Sequence, residues 1–102
     1  MQYYVITTLT LKYGNLPRLT EAMHDLLPYM KSRGWNLQGA FHPLIGNFSK
    51  ITHLWAIDDL ESVHAMLGGI TSDPHILSTI TAFTGFVQEE ELQLVTKTPY
   101  SP

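Results

Sequence analysis

Cysteine is absent from the sequence. That excludes disulfides, thiol nucleophiles, thiolate metal sites and iron–sulfur clusters held by protein sulfur, and it fits a reducing, cytoplasmic setting. Basic residues are also few. Six lysines and arginines against nine acidic residues leave a formal charge of −3, and no stretch concentrates the basic ones as a phosphate-binding surface requires, so nucleic acid is not an expected partner. No apolar run nears the roughly 20 residues of a membrane span. The N-terminus lacks the basic and apolar regions of a signal peptide, because Tyr3 already opens a strand pattern. The expectation is a cytoplasmic protein with no membrane partner. One hundred and two residues, 44% of them hydrophobic, suffice for one domain with one core of modest size.

What is present is periodicity. Tyr3 to Lys12 is β-branched or aromatic almost throughout, and the alternate set Tyr3, Val5, Thr7, Leu9 and Leu11 is the more apolar, so it faces the core of a strand. Asn15 and Pro17 open a helix in which Leu16, Leu19, Met23, Leu26, Leu27 and Met30 recur at helical spacing and which Gly34 ends. Pro28 removes a backbone donor inside it, which predicts a kink or fraying near Leu27 to Tyr29. Trp35 to Ile45 and Ser49 to Ile57 read as a hairpin with a tight turn at Gly46-Asn47-Phe48. Asp58-Asp59-Leu60-Glu61 starts a short helix that ends at Gly68-Gly69. Ser72-Asp73-Pro74 starts another that runs to Phe83, and Phe86 to Lys97 is the last strand.

The order β-α-β-β-α-β is ferredoxin-like. It implies an α+β fold in which a four-stranded antiparallel sheet, with the first and third strands central, carries its helices on one face. Residues 1–97 form this single domain and 98–102 a tail whose prolines cannot continue a ladder. Tyr4, Ile6, Leu54, Ala56, Val87 and Val95 alternate onto the opposite face, an apolar surface large enough to predict a homodimer with two sheets packed face to face.

Thr10-Leu11-Lys12 with Gly14, Gly39 with Phe41, Gly46, His53-Leu54-Trp55, Asp59-Leu60 and Asp73-Pro74 follow one another in an order and spacing that resemble the NIPSNAP-type branch of the dimeric α+β barrel superfamily. The resemblance covers nearly the whole chain and implies the fold and the dimer. It also shows departures. The family's usual arginine and tyrosine on the first strand would fall at Thr7 and Leu9, and its acidic residue before the hairpin glycine would fall at Leu44, so chemistry that used them does not carry over. The wider superfamily includes cofactor-free oxygenases, polyketide cyclases, lactone isomerases and haem-binding enzymes, and fold alone does not choose among them.

One residue stands out chemically. His53 lies in the middle of the most apolar strand, two positions from Trp55, and an imidazole changes charge near neutral pH. Alternation puts His53, Trp55, Tyr3 and Thr7 on the helix-covered face, with Phe41 set opposite His53 across the hairpin and Glu90 aimed inward from the last strand. A carboxylate there can orient the imidazole directly or through a hydroxyl or water. His53 and Glu90 are the candidate catalytic residues; Tyr3, Thr7, Phe41 and Trp55 are the candidate substrate-binding residues. The same histidine also fits a plain packing role, and Trp55 a core role. His42, His53, His64 and His75 are evenly spaced but share no local context, and His42 falls on the open face toward a partner. No clustered ligand spacing points to a metal, and the family match supplies no haem-ligand motif. The sequence therefore points to a cofactor-independent enzyme in which a histidine acid/base cyclises, isomerises or dehydrates a small apolar, aromatic or polyketide-like metabolite. A cofactor-free oxygenase or a non-catalytic homodimeric binding module are the alternatives.

Overall fold

The computed structural model describes residues 1–102. Its elements are β1 (Tyr3–Leu11), α1 (Leu16–Ser32), β2 (Trp35–Phe41), β3 (Lys50–Ile57), α2 (Glu61–Ile70), α3 (Pro74–Ala82), a 3-10 turn at Phe83–Gly85 and β4 (Val87–Thr96). The strands form one antiparallel sheet in the order β2-β3-β1-β4. The ferredoxin-like α+β order expected from the sequence is the one found.

Alternation decides which face of the sheet is covered. In β1, Val5, Thr7, Leu9 and Leu11 are buried; in β3, Ile51, His53, Trp55 and Ile57 are, and the register pairs Val5 with Trp55, Thr7 with His53 and Leu9 with Ile51. Side chains at every second position share a face, so these eight make one continuous floor. The helix α1 lies on it through Leu19 and Leu26, with Met23 packed against the same apolar clusters. Trp35 closes one end of the core, its ring edge-on to Trp55 at 5.9 Å and its indole N–H donated to the Ser62 carbonyl at 2.8 Å. Gly34, at φ 84°, makes the turn from α1 into β2, and a side chain there would run into Ser62 and Asp58.

Local chemistry explains the helix starts. The Asp73 carboxylate accepts from the backbone N–H groups of His75 and Ile76 at 3.1 and 3.2 Å, and Pro74 occupies the first turn, where its missing donor costs nothing. Asp59 accepts from the Ser62 N–H at 3.0 Å ahead of α2. Asn15 directs its amide back to the carbonyls of Lys12 and Tyr13 instead of capping α1.

Several local expectations are corrected. The helix α1 runs through Pro28 to Ser32 without fraying, because Pro28 and His24, the residue four back, both lie on its exposed side, where water can serve the freed carbonyl. The helix α2 passes Gly68-Gly69 and ends at Ile70; Gly69 sits beneath Tyr29 and Arg33, which leave no room for a side chain. No tight turn joins β2 to β3. Pairing stops at Phe41 with Thr52, and 42–49 form an open loop with Leu44, Ile45 and Phe48 exposed; Pro43 lacks the donor that a longer ladder needs. Both edge strands carry a register shift, one between Leu37 and Gly39 and one opposite Thr10 and Leu11. The second pairs Val87 with Leu11 and packs it against the helix-side core, not on the open face.

Candidate functional site

The floor beneath the helices is not filled evenly. A cavity of about 360 Å³ lies over β3, β1 and β4, and thirteen of its sixteen lining residues are hydrophobic. Thr7, His53, Trp55 and Glu90 line it, together with Met23, Met30 and Met66. A second cavity of about 230 Å³ lies over the β2 side, lined by Leu16, Leu19, Leu27, Leu37 and Ile51 among others, and again by Met23 and His53.

His53 is held by the centre of the sheet. It sits between Thr7 on β1 and Ala40 on β2, is 5% exposed, and meets the Trp55 ring edge-on at 6.0 Å. Burial lowers its pKa from the ordinary 6.5, because withdrawing water disfavours the imidazolium; no neighbouring charge or hydrogen bond contributes to the shift. At neutral pH the ring is an uncharged imidazole, with one nitrogen free to accept a proton.

Glu90 faces the same cavity from β4, where it pairs with Leu9. It stands at the exposed rim, yet its apolar neighbours withdraw enough water to raise its pKa from 4.5. It does not meet His53. Thr7, the partner of His53, pairs with Leu92, so Glu90 lies two strands away and one step further along the sheet, and no ion pair joins the two. Two inter-strand spacings and a two-residue step along the strand put the backbones roughly 12 Å apart. The geometry is that of two separate proton-carrying groups, one at the centre of the floor and one at its edge, in place of an oriented carboxylate–imidazole pair.

Two expected lining residues fall elsewhere. Tyr3 pairs with Ile57 and packs on the cluster of Val5, Trp35, Trp55 and Ile57 at the end of the sheet. The register shift after Leu37 places Ala40, not Phe41, opposite His53; Phe41 pairs with Thr52 and folds its ring over Gly39 on the open face, reaching only the rim of the smaller cavity. His42, expected on the open face, also lines that smaller cavity, since β2 ends before it.

Sequence reasoning missed Tyr29. It is buried in α1 and donates its phenol proton to the Met66 carbonyl, tying α1 to α2 across the wall of the larger cavity. Burial raises its pKa, and the nearby Arg33 guanidinium opposes the rise. The Arg33 Nε is buried with no acceptor, and the guanidinium stands over the Tyr29 ring at 5.4 Å, close enough for a cation–π attraction. Helical spacing makes the methionines core stripes; Met23, Met30 and Met66 are that, but they also line open space, which periodicity does not reveal. No three histidine or carboxylate side chains converge as a metal ligand set, and no helix is long and apolar enough to cross a membrane.

Fold and cavity together define a small ferredoxin-like α+β domain with a titratable group inside an apolar hollow. The family model for NIPSNAP matches residues 4–102, and the chain belongs to the NIPSNAP family. Among solved structures, a NIPSNAP family protein with unknown function from Agrobacterium tumefaciens is 26% identical, with a TM-score of 0.82 over 99% of this chain and 92% of that one. A second NIPSNAP family protein from the same organism is 17% identical with a TM-score of 0.82, covering 100% of this chain and 98% of its own. A NIPSNAP domain protein from Burkholderia xenovorans is 16% identical with a TM-score of 0.78, over 98% of each chain. No curated protein matches.

Proposed function

We propose that this chain is a cofactor-independent acid/base enzyme that cyclises, isomerises or dehydrates a small apolar, aromatic or polyketide-like molecule. The observation that carries the reading is the uncharged, water-poor imidazole of His53 facing a cavity of about 360 Å³ lined mostly by apolar side chains. In such a pocket a neutral imidazole accepts a proton from an activated carbon of the substrate, and the carboxyl group of Glu90, held protonated further up the pH scale than usual, returns one to an oxygen at the far end. Thr7 and Leu9 on β1 stand between them, and Trp55 shapes the wall on the far side of His53. The protein works as a homodimer whose two sheets meet through the open face, where Tyr4, Ile6, Leu54 and Ala56 stand partly exposed.

A second reading, a non-catalytic homodimeric binding module, draws on one observation. Nothing in the chain hydrogen-bonds the His53 ring to orient it, whereas catalytic bases are generally oriented by a third group. Deuterium exchange at the activated methylene of an aryl β-diketone in heavy water, followed by proton NMR, separates the readings. The wild type accelerates exchange and His53→Ala loses about 100-fold or more of that acceleration, with the dimer intact by light scattering. Equal exchange by the two proteins removes His53 from the chemistry.

A further inference from the structure

The two cavities are not independent. Each is bounded by His53 on the sheet and by Met23 on the underside of α1, with the smaller on the β2 flank of that helix and the larger on the β1 and β4 flank. Met23 and His53 are the only side chains common to both linings, so they alone stand between the cavities beneath α1. Their linings differ in character. The larger is rich in aromatic rings, with Trp35, Trp55, Tyr29 and Phe83, and it holds Glu90. The smaller is mainly aliphatic, with Leu16, Leu19, Leu27, Leu37 and Ile51, and the exposed His24 and His42 also line it.

Size argues for joint use. Pockets that enclose a drug-sized ligand run from about 300 to about 1,000 Å³. At about 230 Å³ the smaller cavity falls short alone, and at about 360 Å³ the larger only just qualifies. The residue at the waist suits a passage. Methionine is unbranched, with three rotatable bonds and a polarisable sulfur, so it changes shape at little cost.

We infer that the cavities are two lobes of one binding site, and that the ligand is an elongated molecule with an aromatic head in the larger lobe and an unbranched aliphatic tail passing under α1 into the smaller one. This rests on the cavity reading above and adds the shape of the substrate. The His53 ring then lies at the junction of head and tail, beside the carbons next to the ring system. A single small ring would leave the smaller lobe unused.

The test is calorimetric titration of the dimeric wild type and of Ala40→Phe with 4-ethyl-, 4-butyl-, 4-hexyl- and 4-octylphenol. Ala40 is exposed at the mouth of the smaller lobe, so a phenyl group there plugs that lobe without displacing the core. In the wild type, affinity climbs about fourfold with each methylene beyond ethyl, the increment expected for a buried methylene. In Ala40→Phe, 4-ethylphenol binds as in the wild type, while 4-hexylphenol and 4-octylphenol lose tenfold or more. Wild-type affinity that levels off at ethyl, or an Ala40→Phe series that follows the wild type throughout, overturns the two-lobed site and leaves the acid/base reading standing. A series in which no member binds overturns both.

Discussion

The two central strands and the two edge strands of this sheet do different work. β1 and β3 are paired on both sides, keep strict alternation over their shared register and supply a floor of side chains almost wholly removed from water. β2 and β4 are paired on one side only. Each absorbs an irregularity in register, and on β4 even residues of the helix-side set, Leu92 at 54% and Leu94 at 49%, remain exposed. A strand held by two neighbours cannot slip by one residue without turning its whole apolar set outward, whereas an edge tolerates an extra residue at the cost of one unpaired backbone group. The consequence for the site is a His53 fixed on a central strand and an irregular, exposed rim around it, with Glu90 on one side and Ala40 on the other.

The largest test of that contrast is Trp55→Ala against Leu94→Ala. Trp55 is 4% exposed at the centre of the floor, and its truncation is expected to lose about 3–5 kcal/mol of stability. Leu94→Ala, on the same face but at the edge, stays within about 1 kcal/mol. Urea unfolding of both variants reads the difference; equal losses break the division between centre and edge.

A smaller effect comes from deleting Gln38, which removes the extra residue of β2. The flanking pairs Leu37–Trp55 and Gly39–Leu54 then follow one another directly, so Ala40 stays opposite His53 and Phe41 stays opposite Thr52 on the open face. The expected loss is about 1 kcal/mol, and a crystal structure of the variant shows the phenyl ring still on the open face. A ring turned to the helix side contradicts this reading of the register shift.

The smallest effects are in pH dependence, and the two titratable groups pull in opposite senses. His53 has a folded pKa below its ordinary 6.5. Above 6.5 it is neutral in both states; as pH falls through that value the unfolded chain takes up the proton first and stability is lost until the folded pKa is reached. Glu90 has a folded pKa above 4.5, so its contribution is intact below that value and is lost as pH rises from it toward the folded pKa. His53→Gln therefore flattens the acid limb of the stability curve, and Glu90→Gln raises stability at neutral pH slightly. Thermal melts across the range check both signs.

The same contrast governs what could be read from the sequence. Alternation located His53, Thr7 and Trp55 on one face because β1 and β3 obey a period of two without interruption. Glu90 was also placed on that face, since β4 keeps its register from Thr96 back to Glu89 and shifts only beyond it. Phe41 and Val87 depart from plain alternation because each lies past the irregularity of its own edge strand; Gly39 is a local sign of the first, since glycine inside a strand often marks a bulge, and nothing in Val87-Gln88-Glu89 announces the second. An apolar hollow beside His53 is implied by the sequence, but its extent and its walls are out of reach for another reason. Those walls are helix residues such as Met23 and Met66, whose spacing says that they face inward and says nothing of whether the space they face is filled.

The imidazole of His53 is the centre of the proposed chemistry, so its titration is the most direct measurement. Ring-proton shifts of the histidines followed by NMR from about pH 4 to about pH 8 cover the window in which an imidazole changes charge. The predicted result is a midpoint for His53 below 6.5 that moves when 4-hexylphenol fills the cavity. A midpoint at or above that value, with no response to the phenol, would contradict a ring standing in an apolar, ligand-accessible hollow.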